Sequence, residues 1–148
     1  MTSASCIVQG SAVSLEGRAL LIEGAPGSGK SSLALALIES GAKLIGDDGV
    51  TLTREEIDAA ARLVASAPPN IAGLIEARGV GLARLPVAEP APLALILALG
   101  EASERLPERA ESREILGCLV PVLAFEPGAI APAMRARLAL RIHGLPSI

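Results

Sequence analysis

At 148 residues the chain has room for one hydrophobic core, so a single domain over residues 1–148 is expected to hold the whole function. It is 51% hydrophobic but only 1% aromatic, so the core is expected to be built from Ala, Leu, Val and Ile, and the rings that stack on bases are missing. A net charge of −3 lacks the basic excess that a phosphate backbone needs, and the longest apolar run, residues 93–99, is too short to span a bilayer. Nucleic acid and membrane are therefore excluded as expected partners.

Cys6 and Cys118 stand far apart with no second pair, which predicts two buried thiols rather than a disulfide framework or zinc site. Residues 1–10 contain no basic region followed by an apolar stretch, so a cytoplasmic protein is expected.

Residues 19–23 form a short apolar run ended by Gly24, read as a buried strand entering a glycine-rich loop. A helix is predicted over residues 31–40, where Leu33, Ala34, Leu37 and Ile38 recur at three- and four-residue spacing and Gly41 stands as C-cap. Residues 43–46 are then a second strand, and the βαβ unit so formed places both strands parallel in one sheet with their ends at one edge. Further strands are expected near 50–53, 62–66, 79–85, 93–99 and 119–125, added antiparallel because their connections are short.

Residues 101–114 are charge-rich and carry Pro107, which predicts an exposed connection. A last helix is predicted from Pro132, with Ile130, Met134, Leu138 and Ile142 as its apolar stripe and Arg135, Arg137 and Arg141 as a solvated face. His143 beside Gly144 reads as a C-terminal cap or dipole partner. The fold class is thus α/β, a single domain with a mixed sheet.

Gly24-Ala25-Pro26-Gly27-Ser28-Gly29-Lys30-Ser31, followed by Ser32, fits the pattern GxxxxGK[ST] between a strand and a helix. In such a loop successive N–H groups point inward at a helix N-terminus and hold phosphate. Lys30 would reach the β- and γ-phosphates of ATP and the Ser31 hydroxyl would bind Mg2+. Asp47 and Asp48 follow the second strand at the same sheet edge; one could hold magnesium while the other deprotonates the attacking group. Asp48-Gly49 is equally a turn signal. Glu76, in a polar pair flanked by apolar residues and closely spaced glycines, reads by base rate as a solvated surface group.

The order of the P-loop at 24–31, Leu44-Ile45-Gly46-Asp47-Asp48, and Ile71-Ala72-Gly73-Leu74-Ile75-Glu76-Ala77-Arg78-Gly79-Val80-Gly81 resembles the catalytic domain of the HPr kinase/phosphorylase family. The likeness is close over residues 12–85 and weak beyond. It implies an ATP- and Mg2+-dependent enzyme that phosphorylates a serine of HPr, the phosphocarrier of the sugar phosphotransferase system, and can reverse that step by phosphorolysis. It also implies a short, catalytic-domain-only form, Asp47 as catalytic base or acid, Ser31, Asp48 and Glu76 near the metal, and Arg78 and Arg105 steadying phosphate charge. Self-association is implied too.

Two residues depart from the family pattern. Gln9 stands where a His is expected, and Glu126-Pro127-Gly128-Ala129 replaces a Pro-Gly-Arg-Asn loop, so Ala129 occupies the position of an Arg. Gln cannot carry a proton and Ala cannot bind an anion. Kinase activity should therefore exceed phosphorolysis. The alternatives are a nucleotide-binding regulatory module and a P-loop kinase of another substrate.

Overall fold

Apolar runs separated by glycines and turn residues become strands in the structure, a computed structural model that describes residues 4–148. Residues 1–3, part of the N-terminal stretch read above, lie outside the described residues. The first half of the chain forms β1 (Ser5–Val8), β2 (Ser11–Leu15), β3 (Arg18–Glu23), α1 (Lys30–Glu39), β4 (Lys43–Gly46), β5 (Val50–Ile57) and β6 (Ala60–Ser66). The second half forms β7 (Leu74–Ala77), β8 (Gly81–Arg84), β9 (Ala91–Ala98), β10 (Glu111–Ile115), β11 (Cys118–Ala124) and α2 (Pro132–His143). Neither helix is long and apolar enough to cross a membrane.

β3 and β4 do run parallel, flanking α1 in sequence, but they are not neighbours in the sheet. β2 lies between them and is antiparallel to both. On its other side β3 pairs in parallel with β9, which in turn pairs in parallel with β11. The expectation of antiparallel additions therefore holds for β5 and β6 and is wrong for β9 and β11. The cause for β11 is β10: this Glu-Ser-Arg-Glu-Ile strand, read as part of an exposed connection, is the antiparallel return that restores the direction of β9. Charged residues suit an edge strand, which is why they look like a loop.

The ends of β3 and β4 and the start of β2 consequently meet at one sheet edge, where open α/β sheets bind ligands. Because side chains alternate along strands, one sheet face packs Leu20, Ile22, Leu95 and Leu97 against Leu33 and Leu37 of α1 and Leu140 of α2. The opposite face packs Leu21 and Ile96 with Val50 and Leu52 of β5 and Leu63 of β6. Cys118 is buried, whereas Cys6 is only half-buried, against the expectation of two buried thiols.

α2 starts at Pro132 as expected but turns a different face inward. Ala136, Ala139 and Leu140 are buried, while Ile130, Met134, Leu138 and Ile142, the anticipated stripe, are exposed. Alanines let the helix lie close to its neighbours, and arginines on its outer side reach Glu16 and Phe125. Arg141 Nη2 donates to Glu16 Oε2 at 2.6 Å and Arg137 Nη1 to the same oxygen at 3.4 Å, while Arg135 lies 4.9 Å over the Phe125 ring. These arginines are therefore engaged, not a freely solvated face. Arg141 and His143 sit in the last turn, where positive charge suits the helix dipole.

The hydrogen bond from Arg141, with help from Arg137, holds the Glu16 carboxyl below its usual range. A depressed carboxyl contributes stability above its unfolded-state value and loses it as pH falls through the folded-state value. Protection of the α2 amides, taken as exchange relative to the intrinsic rate at each pH, should therefore fall at acid pH, and Glu16→Gln should lower it already at neutral pH with little further acid response. Identical exchange in the two proteins would show that α2 does not depend on this contact.

Candidate active site

The loop after β3 is shaped by glycines that tolerate no side chain. A Cβ on Gly24 would run into Ser28 Oγ and Leu99, and Gly29, the N-cap of α1, holds φ at +102°. No side chain caps the first turn of α1 and no acidic residue lies in it, so its N–H groups are open to an anion. Lys30 Nζ donates to the carbonyls of Gly24 at 2.7 Å and Ala25 at 3.3 Å, folding the cation back over its own loop.

The loop's base is braced from outside. Glu23, the last residue of β3, accepts two hydrogen bonds from Arg113 of β10, at 2.7 and 2.6 Å, and its carbonyl accepts from Leu99 N–H at 2.8 Å. The Glu23 bond raises the Arg113 guanidinium further above its ordinary value. Arg113 is thus committed to this pair.

A cavity of about 550 Å³ opens in front of the loop. Pro26, Gly27, Gly29, Lys30, Ser31 and Ser32 line one side, and Asp48, Glu76 and Arg78 the other. Gly24, Ala25 and Ser28 complete the loop behind this lining. Glu76 comes from β7 of the small β7–β8 sheet and Arg78 from the turn that joins its two strands; the sheet is pinned by buried Ile75 while Glu76, next in the strand, is exposed. Glu76 is therefore exposed as expected, yet it faces the cavity. Asp48 reaches the cavity from a left-handed backbone with φ of +59°, a conformation uncommon outside glycine and found at turns and functional sites.

Asp47 behaves differently from its neighbour. It is buried at 5% exposure, and its Oδ1 accepts from Ser31 Oγ at 2.8 Å and from Ser11 Oγ at 2.5 Å. Its Oδ2 accepts from Glu76 N–H at 3.2 Å. One carboxylate thus ties together α1, β2 and β7, behind the cavity wall that Ser31 and Asp48 form. Ser11 went unnoticed in the sequence; the only signal was a hydroxyl opening an apolar strand.

The structure does not bring Arg105 to this cavity. It lines a second one of about 320 Å³, beside Phe125, Arg135 and Ile142, because the segment after β9 turns toward α2 rather than toward the loop. The Glu126–Ala129 stretch does approach: Pro127 Cγ lies 4.0 Å from where a Cβ on Gly29 would sit. Gln9 is exposed just before β2, beyond the same sheet edge.

The glycine loop with its open helix N-terminus, Lys30 and the facing carboxylates thus stand around one cavity. The profile of the HPr Serine kinase C-terminal domain matches residues 1–126, and the chain belongs to that family. It is 40% identical over 75 residues to HPr kinase/phosphorylase 1 of Oceanobacillus iheyensis, an alignment covering 51% of this chain and 23% of that protein. It is 41% identical over 75 residues to HPr kinase/phosphorylase of Bacillus mycoides, with the same coverage. The chain thus matches less than a quarter of the length of these relatives. The structure of the Hpr(Ser) kinase/phosphatase from Coxiella burnetii has the same fold, with a TM-score of 0.72 at 23% identity over 92% of this chain and 89% of that one.

Proposed function

We propose that this domain is a cytoplasmic, ATP- and Mg2+-dependent kinase that transfers a phosphoryl group to a serine of HPr or a related phosphocarrier. The observation that carries the proposal is the convergence of Lys30, Ser31, Asp48, Glu76 and Arg78 on one cavity at a helix N-terminus. Phosphoryl transfer asks little covalent chemistry of a protein, so placement and charge supply most of the effect.

The donor set fits magnesium, which is commonly held by one or two carboxylates together with phosphate oxygens and water. Ser31 would hold it with Glu76 nearby, Asp47 fixing the Ser31 hydroxyl from behind, and the ion would neutralise charge on the β- and γ-phosphates. Lys30 would exchange its carbonyl partners for phosphate oxygens, and Arg78 would face charge on the transferred group. The resemblance assigns the base to Asp47. Geometry favours Asp48 instead, because it faces the cavity while both oxygens of buried Asp47 are already bonded within the protein. Asp48 would orient the acceptor serine and take its proton.

The test of direction uses the two departures from the family pattern. Phosphorolysis must hold inorganic phosphate against a phosphoserine, so a missing cation should harm it more than ATP-driven transfer. Transfer from ATP to a phosphocarrier is expected, with little pyrophosphate from phosphoserine-carrier and phosphate. Ala129→Arg with Gln9→His should raise the latter severalfold, measured as pyrophosphate release at matched phosphate. Equal wild-type rates in both directions would contradict this account of the loop beside Gly29.

A further inference from the structure

Ser11 and Asp47 are the two buried polar residues among the described residues, and they are bonded to each other. A buried hydroxyl costs stability unless it is paired, and a bond to a carboxylate in a dry site is stronger than one at the surface. The sheet brings them together. β2 lies between β3, which leads into the phosphate loop, and β4, which leads into Asp47, and being antiparallel it begins where they end. Ser11, its first residue, faces Ile22 across the β2–β3 ladder. On the β4 side the ladder breaks between Ala12 and Val13, whose partners are Gly46 and Leu44. Such a bulge re-aims the side chains that follow it, here Asp47.

We propose that Ser11 is a positioning residue for metal ligation, acting through Asp47 on Ser31; this rests on the kinase reading above. The chain of contacts carries it. Ser31 has a single hydroxyl proton, and donating it to Asp47 Oδ1 sets the direction in which its remaining lone pairs point. Asp47 Oδ1 is in turn held from behind by Ser11, and Oδ2 by the Glu76 amide. Removing the Ser11 hydroxyl leaves the Glu76 amide as the carboxylate's one anchor apart from Ser31 itself. Ser31 Oγ then loses its defined direction, while the backbone cradle and Lys30, which touch neither residue, keep theirs.

The test is calorimetric titration of Mn2+ into the full chain with a non-hydrolysable ATP analogue, alongside analogue binding without metal and thermal melting. Ser11→Ala should weaken metal affinity at least about fivefold, a fraction of what a hydrogen bond to a charged group contributes. Metal-free analogue affinity should stay within about twofold, and Ser11→Thr should restore metal affinity. Ser11→Cys, close in size with a weak donor, should reproduce the Ala effect even if Ala disturbs packing. Unchanged metal affinity in Ala and Cys would overturn the proposal, as would metal and metal-free affinities falling together with the melting temperature. If the wild type binds the analogue with no dependence on metal, the kinase reading itself fails and this inference with it.

Discussion

Lys30→Ala is expected to lower the affinity for an ATP analogue at least about tenfold, roughly 1.4 kcal/mol, with the fold retained. Two features set this size. Lys30 opens α1 at the floor of the cavity, and its Nζ is within reach of the β3–α1 loop carbonyls that a bound phosphate would adjoin. Its hydrogen bonds to Gly24 and Ala25 are made to exposed or half-buried backbone, so their loss should cost the fold little. Calorimetry and a melting curve on the same samples separate binding from stability. Unchanged affinity and turnover would remove the cradle assignment.

The paired aspartates should respond to the same substitution in different ways. Asp48→Asn is expected to bind magnesium-ATP within about threefold of wild type and to transfer at least about tenfold more slowly, a barrier change of roughly 1.4 kcal/mol. Asp47→Asn should instead lose stability by about 1–3 kcal/mol together with metal-dependent binding. The reason is hydrogen-bond inventory: Asp47 accepts on both oxygens, whereas Asn offers one acceptor and an NH₂ that would face a donor. Denaturant melts and single-turnover transfer on both variants make the comparison. The reverse pattern, with Asp47→Asn folding and binding normally but failing to transfer, would return the base role to Asp47.

The centre of the site was legible in the residues because its requirements are local. A phosphate loop needs glycines, a lysine and a helix start in fixed order, and Gly24, Gly29, Lys30 and α1 meet that order within a dozen residues. What was not legible depends on contacts between distant segments. β10 was hidden because edge strands carry charge like loops do, and missing it reversed the expected direction of β11. The inner face of α2 differs from the expected one because larger Ile, Met and Leu residues outweigh alanines in any hydrophobic count, whereas the face that packs into the core carries Ala136, Ala139 and Leu140. Glu76 came to the site only through the family resemblance. Arg105 was carried over by the same resemblance, at a point where the likeness is weak, and it lies in a different cavity.

If this cavity moves the γ-phosphoryl group of ATP onto a serine, the transfer can be followed on the acceptor. The most direct test is incubation of the purified chain with magnesium, γ-labelled ATP and HPr or related phosphocarriers, followed by mapping of the labelled residue. Acid-stable label is expected on a single carrier serine, dependent on magnesium and lost in Lys30→Ala and Asp48→Asn. Tight magnesium-ATP binding with no label on any carrier would contradict it and leave a nucleotide-binding module in its place.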